Sequence, residues 1–204
     1  MANTLEDLID PVELDELKNH YGPFQRRYVT LDMDPDSVKF YNESFKNRRG
    51  EILFALQRAD GRILIHTKKT YPKGVYRVLG GGIDWKEPIR SSLTREVHEE
   101  TQFAVADEQF LGMLGYQLTS PQSQQSVPFV SYVFLVPGVE GEPSTLDESE
   151  GISGFKWVSM ADLASVAETL RNLEDDHPGR ADWGRFRAVG HDFIIENASG
   201  RLEA

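Results

Sequence analysis

Five charged side chains near the middle of this chain have types and spacing suited to chemistry. Gly81 is followed after five residues by Glu87, and after seven more by Arg95-Glu96-Val97-His98-Glu99-Glu100-Thr101-Gln102-Phe103. Pro88 suits the first position of a helix, where its missing N–H would have no partner anyway. From Pro88 to about Thr101 nothing breaks a helix. Ile89, Leu93 and Val97 recur every four residues and form an apolar stripe fit to pack on a sheet. At about 100° per residue, Glu96, Glu99 and Glu100 fall within an arc of roughly 100° beside that stripe. Carboxylates so close repel, and the Glu96–Glu100 pair costs a few tenths of a kcal/mol. A divalent cation reverses that sign, and hard oxygen donors suit Mg²⁺ or Mn²⁺, ions that often pair with substrate phosphates. Arg95 reaches Glu99 one turn on. A Glu-Glu pair alone on a helix is ordinarily a solvated face; the full spaced pattern carries the chemical reading.

This stretch resembles the signature of the Nudix hydrolases: Gly, five residues, Glu, seven residues, Arg-Glu-aliphatic-x-Glu-Glu-x-Gly-aliphatic. Gln102 stands where the family has its second glycine, and Phe103 replaces the aliphatic residue. The resemblance implies an α/β fold, a Nudix-type α/β/α sandwich with a mixed β-sheet. It covers a core of about residues 48–174 in a single domain, 1–204, with an N-terminal extension (1–47) and a C-terminal helical extension (175–204). It implies hydrolysis of a nucleoside diphosphate linked to another moiety, with Mg²⁺ or Mn²⁺ as cofactor. Carried over position by position, the metal ligands are Glu96, Glu99, Glu100 and the Gly80 carbonyl, and the catalytic set is Glu96, Glu99, Arg95 and Glu150. Arg95 orients carboxylates. Glu87 supports the ligands from behind, because it falls about 180° from Glu96 on an ideal helix. The general base has two candidates: a signature glutamate, Glu96 first, or an acidic residue on the loop before Trp157, with Glu150 ahead of Glu148. The family glycine at position 102 takes the left-handed conformation that ends the helix. Glutamine there costs roughly 1 kcal/mol, unless the helix ends differently; no ligand is lost, so activity is expected to survive.

The elements that must position these groups are legible in outline. Residues 4–20 read as a short acidic helix ended by Gly22-Pro23, and Arg27 to Met33 as a strand; residues 36–49 fit either strand or helix. Glu51–Gln57 and Arg62–Thr67 are apolar runs joined by Asp60-Gly61, a hairpin signal. Tyr76 to Leu79 alternates like a strand and enters Gly80-Gly81-Gly82, expected as a loop whose amides approach a phosphate. Phe110–Leu118, Val127–Val136 and Gly154–Val158 read as strands, with an acidic loop over 137–151. Ser159-Met-Ala-Asp162 resembles a capping box opening a helix to about Leu173. A last amphipathic helix over Ala181–Asn197 sets Trp183, Phe186, Val189, Phe193 and Ile194 on one side.

The net charge of −11 argues against nucleic-acid or anionic-membrane partners, and a phosphate substrate then needs cations to offset repulsion. There are no cysteines, which excludes disulfides, thiolate metal sites and the cysteine-dependent isopentenyl diphosphate isomerase chemistry of the same fold. No signal peptide or apolar stretch of membrane-spanning length is present, so the expectation is a cytoplasmic protein, with room for a homodimer. The competing reading is a nucleotide-ligand sensor on the same fold that binds without turnover. Such modules usually lose signature glutamates, and this chain keeps all four. Tyr71, Tyr76 and Phe129 are candidates to stack on a base, though such residues are more often packing.

Overall fold

The computed structural model describes residues 6–145 and 150–198. A five-stranded mixed sheet runs in the order β1 (Gln25–Asp32), β5 (Gln109–Ser120), β6 (Gln125–Val136), β2 (Arg48–Leu56), β4 (Leu79–Asp84). β1 pairs parallel with β5 and β2 parallel with β6, whereas β5–β6 and β2–β4 are antiparallel. A separate antiparallel pair joins β3 (Ile63–Lys68) to β7 (Ile152–Val158).

Alternation along β2 shows how the sheet is covered. Ile52, Phe54 and Leu56 meet Ile89, Leu93 and Val97 of α3 (Ile89–Thr101) and Leu14 and Leu17 of α1 (Pro11–Tyr21). Leu53 and Ala55 share the other core with Val38 and Tyr41 of α2 (Pro35–Ser44), Leu163 of α4 (Met160–Arg171) and Phe186, Phe193 and Ile194 of α5 (Arg180–Ala198). Successive strand side chains point to opposite faces, so one strand serves both cores. The result is the expected α/β/α sandwich. The ambiguous segment after residue 36 is helical up to Ser44. The Ser159–Asp162 capping box forms, with the Ser159 hydroxyl accepting from the Asp162 amide.

Four local expectations change. The acidic N-terminal helix is divided: a 3-10 turn at Glu6–Leu8 is followed by α1, because Asp10 caps a new start at Pro11 by accepting from the Val12 amide. Pro88 is the extended residue before α3 rather than its first helical residue, and its carbonyl accepts from Ser92 N–H. The Asp60-Gly61 turn exists, with Gly61 at φ 83°, yet β2 and β3 do not form a hairpin; a single bridge, Gln57 to Ile63, joins them. Both edges of β2 are taken by β6 and β4, so β3 turns away to β7. Finally, Gly80-Gly81-Gly82 lies inside β4, not in a loop, paired in that order with Leu53, Ile52 and Glu51.

Candidate active site

The glycines of β4 are explained by what touches them. A Cβ on Gly81 would lie 1.9 Å from the Glu96 carboxyl, and one on Gly80 would lie 2.5 Å from the Ile52 carbonyl oxygen. Absent side chains let the edge strand receive the carboxylates of α3. The Gly80 amide donates to Glu100 Oε2 at 3.3 Å.

Arg95 organises the signature. Its Nε and Nη2 reach the two oxygens of Glu87 at 2.9 Å each, and its Nη2 also donates to the Gly82 carbonyl at 2.9 Å. Nη1 donates to Glu96 at 2.7 Å and to Glu99 at 3.2 Å. Glu87 sits before the helix rather than on it, and Arg95 holds its carboxyl down at about 2. This fork fixes Arg95 in register with β4 and leaves it facing two of the three candidate ligands.

Glu96 and Glu100 are buried, while Glu99 is partly exposed. Burial pushes the Glu96 carboxyl up to about 7 against the pull of Arg95, and the nearby Glu100 and Glu99 add to the rise. Burial also raises Glu100, opposed by Arg77 and Lys68. Desolvation disfavours the charged form and neighbouring carboxylates compound it.

Lys68, at the end of β3, joins the two parts of the site. Its Nζ lies 3.3 Å from Glu100 Oε1 and 2.7 Å from Glu150 Oε2. Burial alone would lower the Lys68 ammonium, but Glu100 and Glu150 outweigh it and raise it. The structure therefore brings together Gly80, Arg95, Glu96, Glu99 and Glu100, with Glu150 tied to them through Lys68. Glu148 falls outside the described residues. His98 is exposed, and Phe129 is buried in the core, stacked on Phe45 at 3.7 Å between centroids.

Sequence reasoning missed Lys68, His66 and Arg77. His66 is fully buried with no hydrogen bond to either ring nitrogen, and its Nδ1 lies 4.0 Å from Glu100 Oε1. Burial keeps its imidazole neutral by lowering its proton affinity well below the usual range, and Arg77 and Lys68 add to that. Arg77 donates from Nε to the Tyr71 hydroxyl at 2.7 Å and from Nη1 to the Val78 carbonyl. The available signal was a basic pair, Lys68-Lys69, closing an apolar strand.

A hard divalent cation fits the chemistry of this donor set. The candidate donors are oxygens, two of them lifted toward protonation by burial first and by neighbouring carboxylates second, and Gly81 has no side chain where Glu96 enters. As they stand, no three acidic or histidine side chains among the described residues converge into a ready metal cluster. Arg95 and Lys68 occupy the carboxylates instead.

Comparison with known proteins identifies the family. An ADP-ribose pyrophosphatase of Methanocaldococcus jannaschii is 26% identical over 112 residues, an alignment taking in 54% of this chain and 64% of that protein. The chain thus spans just under two thirds of the length of that relative. Among solved structures, the NUDIX domain of Shewanella oneidensis NrtR in complex with ADP ribose superposes with a TM-score of 0.50 at 17% identity, covering 83% of this chain and 99% of that one. That likeness concerns the fold. Residues 46–182, well over half of the chain, match the model of the NUDIX domain, and the chain belongs to the Nudix family.

Proposed function

We propose that this chain is a Nudix pyrophosphohydrolase that cleaves the phosphoric anhydride of a nucleoside diphosphate linked to another moiety. The reading is carried by one observation: the acidic edge of α3 faces the three glycines of the edge strand, with Lys68 tying Glu150 to Glu100. Residues 6–145 and 150–198 act as one Nudix domain, since β1 and α5 complete the sheet and its cover. Glu96, Glu99, Glu100 and the Gly80 carbonyl would hold Mg²⁺ or Mn²⁺, which supplies charge neutralisation at the phosphate oxygens and polarises the bond to be cleaved. Glu150 accepts a proton from the attacking water; Glu96 is the alternative base. Arg95 holds Glu96 and Glu99 in place, and Lys68 does the same for Glu100 and Glu150. The name of the archaeal relative makes ADP-ribose the first compound to try.

The test is release of monophosphate products from ADP-ribose, nucleotide sugars, dinucleoside polyphosphates, NADH and nucleoside triphosphates, with and without Mg²⁺ or Mn²⁺. Metal-dependent turnover of one class is the expected outcome. If the whole panel is silent while a nucleotide still raises the melting temperature, the hydrolase reading fails and the sensor reading replaces it.

A further inference from the structure

A cavity lies outside the signature, between the start of α2, the turn after β3 and the start of α5. Its volume is about 460 Å³, inside the roughly 300–1,000 Å³ range of small-molecule sites. Its walls are aromatic. Tyr71 and Trp183, both half-buried, approach at 4.9 Å between ring centroids, and Phe40 and Tyr41 of α2 line it as well. Ser37 lines it too; its hydroxyl is buried and makes no hydrogen bond. Gly179, also lining the cavity, is at φ 75°, and a Cβ there would sit 3.0 Å from that hydroxyl. An orphaned hydroxyl buried at the edge of a pocket of rings costs stability unless something pairs with it.

One turn of the chain links this cavity to the acidic site. The turn Lys68-Lys69-Thr70-Tyr71 closes with the Tyr71 amide donating to the Lys68 carbonyl at 3.0 Å. At one end Lys68 holds Glu100 and Glu150; at the other Tyr71 forms the cavity wall. The Tyr71 hydroxyl accepts from Arg77, and the Tyr71 ring lies 6.0 Å from that of His66, which in turn neighbours Glu100. A ligand whose phosphates meet the carboxylates would extend its other end across this turn.

We propose that the cavity walled by Tyr71 and Trp183 binds the nucleobase of the substrate, with the rings offering a stacking face and Ser37 a hydrogen bond to the base edge. This rests on the hydrolase reading for the identity of the ligand, though not for the existence of the site. Residues Ser37 to Tyr41 precede the family-matched segment, so the base preference would belong to this chain's own elements.

The experiment is calorimetric titration, without metal, of AMP, GMP, CMP, UMP and ribose 5-phosphate into the wild-type protein and the Trp183→Leu and Ser37→Ala variants. Loss of base stacking weakens binding by roughly tenfold or more. The expected result is that at least one nucleotide binds, ribose 5-phosphate binds far more weakly, Trp183→Leu weakens the nucleotide at least tenfold and Ser37→Ala weakens it several-fold. The proposal is overturned if no nucleotide binds the wild type, if ribose 5-phosphate binds equally well, or if both folded variants keep wild-type affinity. Should Trp183→Leu fail to fold, Ser37→Ala decides. ADP-ribose hydrolysis is assayed separately on the same proteins. Base binding without hydrolysis keeps this site and removes the hydrolase reading; hydrolysis with an unchanged KM in Trp183→Leu does the reverse.

Discussion

Gly81 and Glu96 are complementary shapes: the carboxylate occupies the volume a side chain at position 81 would take. Gly81→Ala meets only the far end of a flexible side chain, so we expect the fold to persist while Glu96 is displaced and turnover falls at least tenfold. Gly80→Ala instead meets the Ile52 carbonyl and Leu53 in the neighbouring strand. Overpacking of that kind costs about 1–3 kcal/mol, so its unfolding midpoint in urea should drop well below that of Gly81→Ala. Equal stabilities of the two variants would contradict this account of the glycines. At this scale the signature was readable because its members lie on one helix or just before it. Helical geometry converts spacing into proximity. Lys68 was not readable as a partner of Glu150, because the two are 82 residues apart and meet through the pairing of β3 with β7.

The end of α3 shows how an element keeps its form under an unfavourable residue. Gln102 adopts the left-handed conformation at φ 62°, and its amide donates to the His98 carbonyl at 2.8 Å. The expectation of a left-handed cap thus holds, and the alternative ending is not used. The Gln102 side chain donates to the Ser144 hydroxyl, and the Ser144 amide donates to the Thr101 carbonyl at 3.1 Å, which latches the following loop to the helix end. Both Gln102→Gly and Gln102→Ala lose the side-chain bond, but alanine keeps the left-handed strain. Gln102→Gly should therefore be the more stable of the two by about 1 kcal/mol in urea denaturation; equal midpoints would show that no strain is stored there. Element types were largely legible from periodicity and caps, including the Ser159 box. Their pairing was less so. The Asp60-Gly61 turn is local, whereas the separation of β2 from β3 depends on β4 and β6 having taken both edges of β2, which no local pattern encodes.

Across the whole molecule, α5 reaches over the sheet to the glycine strand. His191 Nε2 accepts from the Val78 amide at 3.0 Å, and its Nδ1 faces the Arg187 carbonyl at 2.9 Å. A neutral imidazole satisfies both, while a proton on Nε2 would oppose the Val78 N–H. Burial lowers the His191 imidazole from 6.5 to about 4, although the Arg187 carbonyl favours its charged form. The unfolded chain therefore takes up this proton first as pH falls. Stability from this group is complete above about pH 6.5 and is lost between there and pH 4, by on the order of 3 kcal/mol. Urea midpoints should fall over that window in the wild type and fall less in His191→Gln; parallel curves would exclude His191 as the source. The two-sided cover of the sheet was foreseen from the family resemblance, and the apolar stripe of α3 agreed with it. The clamp by His191 was not, because its partners are backbone groups.

The measurement that bears most directly on the central claim is AMP release from ADP-ribose by wild-type and Glu99→Gln protein, each with and without Mg²⁺. Glu99 is partly exposed and contacts Arg95, so its replacement should leave the melting temperature nearly unchanged. Metal-dependent release by the wild type and a loss of several orders of magnitude in Glu99→Gln are the expected results. Wild-type release that continues undiminished in the folded Glu99→Gln protein would contradict it.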